Sequence, residues 1–112
     1  MKNHINYIEF KAKDLDAIQK FYYTVFDWDF TSYGPEYISF ENAGIEGGFH
    51  KSDDNIQNGV LVVLYHDNLE EIKKKIISEK GKIIQDIFSF PGGKRFHFTD
   101  PSGNELAVWS EE

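Results

Sequence analysis

The chain has 112 residues, 40% apolar and 16% aromatic with ten Phe, enough for one globular domain or two small modules sharing a core, and too apolar for disorder. A net charge of −7 argues against nucleic acid, which needs clustered Lys and Arg. The absence of Cys excludes disulfides, thiolate nucleophiles and Cys-based zinc sites.

Taken in chain order, MKNHINYIEF alternates apolar and polar residues and lacks the apolar run of a signal peptide. No stretch approaches the roughly 20 apolar residues of a membrane span. The expectation is a cytoplasmic protein with neither membrane nor nucleic-acid partner. INYIEFKA has the period of two that marks a strand. Asp14 is placed to cap a helix whose apolar residues Leu15, Ile18, Phe21, Tyr22 and Val25 recur at three- and four-residue steps. DWDFTSY and EYISFEN read as strands joined across Gly34-Pro35. AGIEGGFHK reads as a short strand interrupted by glycine, and SDDNIQNG as a polar linker.

The pattern then restarts. VLVVLY is an apolar strand, and Asn68 is placed to cap LEEIKKKIISEK, with Leu69, Ile72 and Ile76 on one face and Gly81 at the C′ position. Lys73, Lys74 and Lys75 mix with Glu70, Glu71 and Glu79, as on a solvated face. KIIQDIF, KRFHFT and ELAVWS follow as strands, separated by Pro91-Gly92-Gly93 and the turn Asp100-Pro101-Ser102-Gly103-Asn104. FPGGK lacks the pattern of a phosphate cradle and reads as a hairpin loop.

Both halves therefore run strand, helix, three strands, and a shift of 54 positions lays Leu15 on Leu69, Ile18 on Ile72 and Tyr7 on Leu61. Two such βαβββ modules, about residues 1–53 and 56–112, are each too small to bury a sheet alone. The predicted fold is α+β, a curved mixed sheet around a cavity with the helices on the outer faces. A chain this short buries limited surface, so a homodimer is expected.

The doubled order, with KDLDAIQKFYYTVFDW after the first strand and FHFTDPSGNELAVW at the end, resembles the vicinal oxygen chelate superfamily. That group includes glyoxalase I, bleomycin-resistance and fosfomycin-resistance proteins and extradiol dioxygenases. The resemblance covers essentially the whole chain, and AGIEGGFHK and DPSGNELAVW look most like the branch related to lactoylglutathione lyase. It implies metal-ligand positions on inward faces of the sheets. One lies seven residues before the Asp that opens the first helix, with an equivalent in the second half; another lies seven residues after the Asp of the D-P-x-G turn. These positions are Tyr7, Leu61 and Ala107 here, and a further ligand falls on IEGGFHK at Gly48 or His50. Leu61 and Ala107 carry no donor and neutral Tyr7 is a poor ligand, so no metal and no other cofactor is expected. Glu105 shares a strand face with Ala107, about 6–7 Å nearer the turn, and promoting it would still leave Leu61 opposite.

Several polar residues remain candidates. His97 lies four residues before Pro101, where extradiol dioxygenases project an active-site residue. It is either a general base or donor, or a sheet-edge histidine satisfied by a neighbour. Glu9 shares the face of Tyr7 and is either an acid or base in an apolar cup or a rim residue. Arg95, on the His97 face, either grips an anion or lies on the surface. Trp109, on the Ala107 face, and Tyr65 offer flat walls; Phe40 and Phe49 fit core packing better. The candidate ligand-binding set is Tyr7, Glu9, His50, Leu61, Val63, Arg95, His97, Ala107 and Trp109. The function expected is metal-free binding of a planar or aromatic small molecule. The alternatives are a glyoxalase-like lyase or isomerase using His97 and Glu9, a metal site in another register, and an interaction module without ligand.

Overall fold

Two stretches of the chain, each alternating apolar residues with period two around one helix of longer period, fold as two separate units in the computed structural model, which describes residues 2–111. The chain divides between Ile56 and Gln57. The first unit contains β1 (Tyr7–Ala12), α1 (Leu15–Phe26), β2 (Asp29–Ser32), β3 (Tyr37–Glu41) and β4 (Glu46–Lys51). The second contains β5 (Val62–Tyr65), α2 (Leu69–Ser78), β6 (Lys82–Phe90), β7 (Gly93–Thr99) and β8 (Glu105–Glu111). Each unit holds one four-stranded mixed sheet, ordered β1-β4-β3-β2 and β5-β8-β7-β6. The first strand of each unit runs parallel to the last, and the other neighbours are antiparallel. The architecture is α+β, as the sequence pattern predicts. Among the described residues no helix is long and apolar enough to cross a membrane.

In both units the helix starts where a side-chain cap releases it. Asp14 accepts a hydrogen bond from the Ala17 N–H at 3.1 Å, and Asn68, 54 positions later, accepts one from the Glu71 N–H at 3.1 Å. Leu15, Ile18, Phe21, Tyr22 and Val25 are buried on α1, and Leu69, Ile72 and Ile76 on α2. The first core is aromatic: Tyr22 stacks on Trp28 at 4.6 Å and meets Phe49 at 5.3 Å, and Phe10 stacks on Phe49 at 5.2 Å. Phe40 and Phe49 thus belong to the helix-covered core. In the second unit Phe96, Phe98, Leu106 and Val108 are fully buried.

One sequence expectation needs correction. The residue in the left-handed region at the end of α2 is Lys80, at φ 75°, and not Gly81. Lys80 donates its N–H to the Ile77 carbonyl at 3.2 Å, and Gly81 donates to Ile76 at 2.9 Å. That is the paired hydrogen bonding of a Schellman ending, with lysine where glycine is usual. The glycine is displaced by one residue.

The turn from Asp100 to Asn104 is held by its own first residue. Asp100 Oδ1 accepts the N–H groups of Ser102, Gly103 and Asn104 at 2.9, 3.0 and 3.0 Å, and its Oδ2 accepts from Asn104 Nδ2 at 3.0 Å. Asn58 ties the incoming linker to this turn, accepting the Glu105 N–H at 2.8 Å and donating to Asn104 Oδ1 at 3.0 Å. Asp100 is therefore a structural acid that fixes the entry of β8.

Candidate functional site

Period two sorts each sheet into a helix-covered face and a helix-free face, and the candidate residues fall on the helix-free faces. In the second unit, strand pairing lays them out in rows. Tyr65 pairs with Trp109, Trp109 with Arg95, and Arg95 with Phe88, so one row crosses all four strands of that sheet. The next row runs from Val63 through Ala107 and His97 to Gln85. Thr99 pairs with Glu105 in the row beyond. The sheet register thus brings together Val63, Arg95, His97, Ala107 and Trp109, with Leu61 just ahead of β5.

This face is aromatic around one cation. The Arg95 guanidinium lies 5.3 Å from the centroid of Phe88 and 5.7 Å from that of Phe90, within reach of a cation–π attraction. Trp109 lies 6.3 Å from Phe90 and packs edge-on to Tyr65 at 5.2 Å. Tyr65 donates its hydroxyl to Glu111 at 3.0 Å, and this bond holds its phenol above its usual titration range. Val63 and Tyr65 are exposed, at 43% and 52%. A shallow hollow of about 250 Å³ opens beside them, lined by Asn58, Gly59, Val60, Leu61 and Glu105.

His97 Nδ1 lies 2.9 Å from Glu105 Oε2, a diagonal contact between β7 and β8. The histidine side chain is 14% exposed and that of Glu105 is 42% exposed. Among the described residues the opposite nitrogen, Nε2, is buried without a hydrogen-bond partner, as is Arg95 Nε. Glu105 is the functional neighbour that sequence reasoning considered only as a displaced metal ligand.

The helix-free face of the first unit is polar. Glu9 pairs across the sheet with Gly48, and Gly48 with Ser39. Lys11 pairs with His50, and His50 with Tyr37. Gly48 and His50 therefore share one face with Tyr7 and Glu9, and Gly48 is the residue beside Glu9. The space above Gly48 is filled by Tyr37, whose hydroxyl bonds that of Tyr7 and donates to Glu9 Oε1 at 3.0 Å. Burial, followed by these bonds to Tyr7 and Glu9, pushes the Tyr37 phenol far above its ordinary range. Glu9 is exposed and held by a phenol; it does not sit in an apolar cup. Tyr37 was not singled out by the sequence, although it pairs with one candidate, His50, and bonds two others.

The metal positions that the family resemblance implies do not carry a ligand set. Ala107 is buried in the middle of β8, Leu61 offers only carbon, and Gly48 has no side chain. Among the described residues no three His, Asp or Glu side chains gather as a metal site would require.

Comparison with known proteins follows the same lines. Residues 4–108 match the family model of the Glyoxalase/Bleomycin resistance protein/Dioxygenase superfamily. No curated protein matches the chain in sequence. A family enzyme from Burkholderia phytofirmans PsJN superposes with a TM-score of 0.84 at 14% identity, over 96% of this chain and 98% of that one. Lactoylglutathione lyase from Agrobacterium tumefaciens gives 0.71 at 19% identity, over 96% and 93%. The fosfomycin resistance protein FosX from Mesorhizobium loti gives 0.80 at 12% identity, over 100% and 95%. At such identities the likeness is one of fold.

Proposed function

The chain belongs to the Glyoxalase/Bleomycin resistance protein/Dioxygenase superfamily, and from that premise we propose that it binds a planar, aromatic small molecule without a metal ion. The binding surface in this reading is the helix-free face of β5, β8, β7 and β6. The observation that carries it is the row Tyr65, Trp109, Arg95 and Phe88 across that face, with Phe90 beside it. Flat rings present large apolar area at little conformational cost and stack on planar ligands. Support for metal-free binding comes from Leu61 and Ala107, which leave two of the family's ligand positions without donors, while Tyr7 offers only a neutral phenol.

Two measurements test this. Elemental analysis of the purified protein should find no stoichiometric Zn, Ni, Mn or Fe, and EDTA should leave Tm unchanged. A metal bound only by the native state at about 100 times its Kd would add about 2.7 kcal/mol by linkage, so its removal would be plain in a melting curve. Titration with 2-naphthamide should quench tryptophan fluorescence, and Trp109→Ala should weaken that binding about tenfold or more. A stoichiometric transition metal, or failure of any planar aromatic to bind, would sink the proposal.

A second reading, a lyase or isomerase, is favoured by the 2.9 Å contact between His97 and Glu105. A carboxylate at Nδ1 fixes the ring and its tautomer, leaving Nε2 to move a proton. Glu105, not Glu9, is the partner in this version. Turnover of a bound ligand that His97→Gln abolishes, with affinity retained, would favour it. A homodimer is part of the proposal too: Val60, Leu61, Val63 and Tyr65 expose apolar surface at and before the edge strand β5, and a second copy would cover it.

A further inference from the structure

We infer that the ligand of this aromatic face is itself anionic, an aryl carboxylate whose acid group lies between Arg95 and His97. The inference rests on the proposed binding of planar aromatics and adds the charge.

Its basis is a pair of nitrogens. Arg95 Nε and His97 Nε2 are both buried and have no hydrogen-bond partner among the described residues. Buried polar groups are nearly always paired, because an unpaired one carries its full desolvation cost. Here the two orphans are alternate residues of β7, on one face and about 6–7 Å apart along the strand. The Phe88 ring neighbours both, 5.9 Å from the imidazole and 5.3 Å from the guanidinium. The residues bearing these nitrogens are only part-buried.

The charge of the missing partner follows from what surrounds them. Among the described residues no carboxylate forms an ion pair with Arg95. Glu105, the acid nearest in the pattern, is engaged at His97 Nδ1. An ionised carboxylate only accepts hydrogen bonds, so against Glu105 His97 presents Nδ1–H, and Nε2 donates to an anion when the ring takes up a second proton with it. Arg95 Nε–H is a second donor beside it, and a carboxylate has two oxygens to receive them. The rest of the ligand would lie along Trp109 and Phe90, which flank the guanidinium. A neutral aromatic leaves the cation unpaired, and an aliphatic acid leaves the rings uncovered. Only an aromatic acid satisfies both.

The test is calorimetric titration of the full chain with 2-naphthoate, 2-naphthamide and cyclohexanecarboxylate. Hydrogen bonds to charged groups are the stronger ones, so 2-naphthoate should bind about tenfold or more tighter than the amide. Cyclohexanecarboxylate should bind more weakly than either. Arg95→Gln should remove the preference for the acid, lowering the affinity for 2-naphthoate far more than that for 2-naphthamide, and circular dichroism reports that the variant is folded. His97→Gln should remove part of it. Equal affinity for acid and amide, or a parallel loss of both in Arg95→Gln, would overturn the anionic assignment and leave aromatic binding standing. If neither naphthalene compound binds, the proposed function falls with it.

Discussion

Gly48→Ala tests the packing that closes the helix-free face of the first sheet. A Cβ built on Gly48 would lie 2.4 Å from the Tyr37 hydroxyl, 2.6 Å from its Cζ and 2.7 Å from the Ile38 carbonyl oxygen. The phenol can swing aside only by giving up its bonds to Tyr7 and Glu9, at a net of about 0.5–1.5 kcal/mol each. The Ile38 carbonyl belongs to β3 and cannot move without disturbing its pairing with β4, and overpacking of this kind costs about 1–3 kcal/mol. A total of about 3 kcal/mol is expected. With an unfolding entropy of about 2.1 cal/mol/K per residue over 112 residues, that lowers Tm by about 13 °C. Urea denaturation gives the free energy and calorimetry gives Tm. In a Tyr37→Ala background the same substitution should cost about 1–2 kcal/mol less, because only the backbone clash remains. A cost below about 1 kcal/mol, or one independent of residue 37, would refute the reasoning.

Lys80→Gly should stabilise the protein by about 1 kcal/mol, since a non-glycine residue in the left-handed region costs about 1–2 kcal/mol and the added freedom of the unfolded chain takes some back; a Tm rise of about 4 °C checks it. Asn58→Ala removes both bonds that tie the linker to the Asp100 turn and should cost about 1–2 kcal/mol in urea denaturation. The Asp86 carboxyl is held below its usual range, first by the Lys73 hydrogen bond at 2.7 Å and then by the Ile87 N–H. A depressed carboxyl contributes stability above its unfolded pKa and loses it as pH falls through the folded value. Asp86→Asn should therefore be less stable than wild type near neutral pH, and the gap should close in the acid range below about pH 4. A gap unchanged at pH 2 would show that the carboxylate charge is not its cause.

The elements were legible because two periodicities do not overlap. Leu15, Ile18, Phe21, Tyr22 and Val25 cannot share one face of a strand, and all are buried on α1. The duplication was legible in its caps: Asp14 and Asn68 lie 54 positions apart and each accepts the N–H three residues on. What failed was the end of α2, where composition favours Gly81 but the helix runs one residue shorter relative to it, and Lys80 takes the left-handed turn. Propensity ranks residues; it does not fix the phase of the last turn.

The site was half legible for a related reason. Residues on β7 and β8 follow strict alternation, so Arg95 could be placed on the face of His97 and Trp109 on that of Ala107, and the pairing joins the two faces into one. The fourth strand breaks that rule. Register shifts in β6 between Ile83 and Gln85, and again between Gln85 and Phe88, each insert one extra residue against β7. Period two counted from Gln85 would bring Ile87 and Ser89 to the His97 face. The shifts bring Phe88 and Phe90 there instead, against Arg95. No pattern in KIIQDIFSF announces a bulge, because the count of its residues against β7 is seen only in the pairing. The aromatic sandwich around Arg95 thus depends on an irregularity that only pairing reveals. Without it the cation would face the Ile87 and Ser89 side chains, and nothing on that strand would direct a planar ligand towards it.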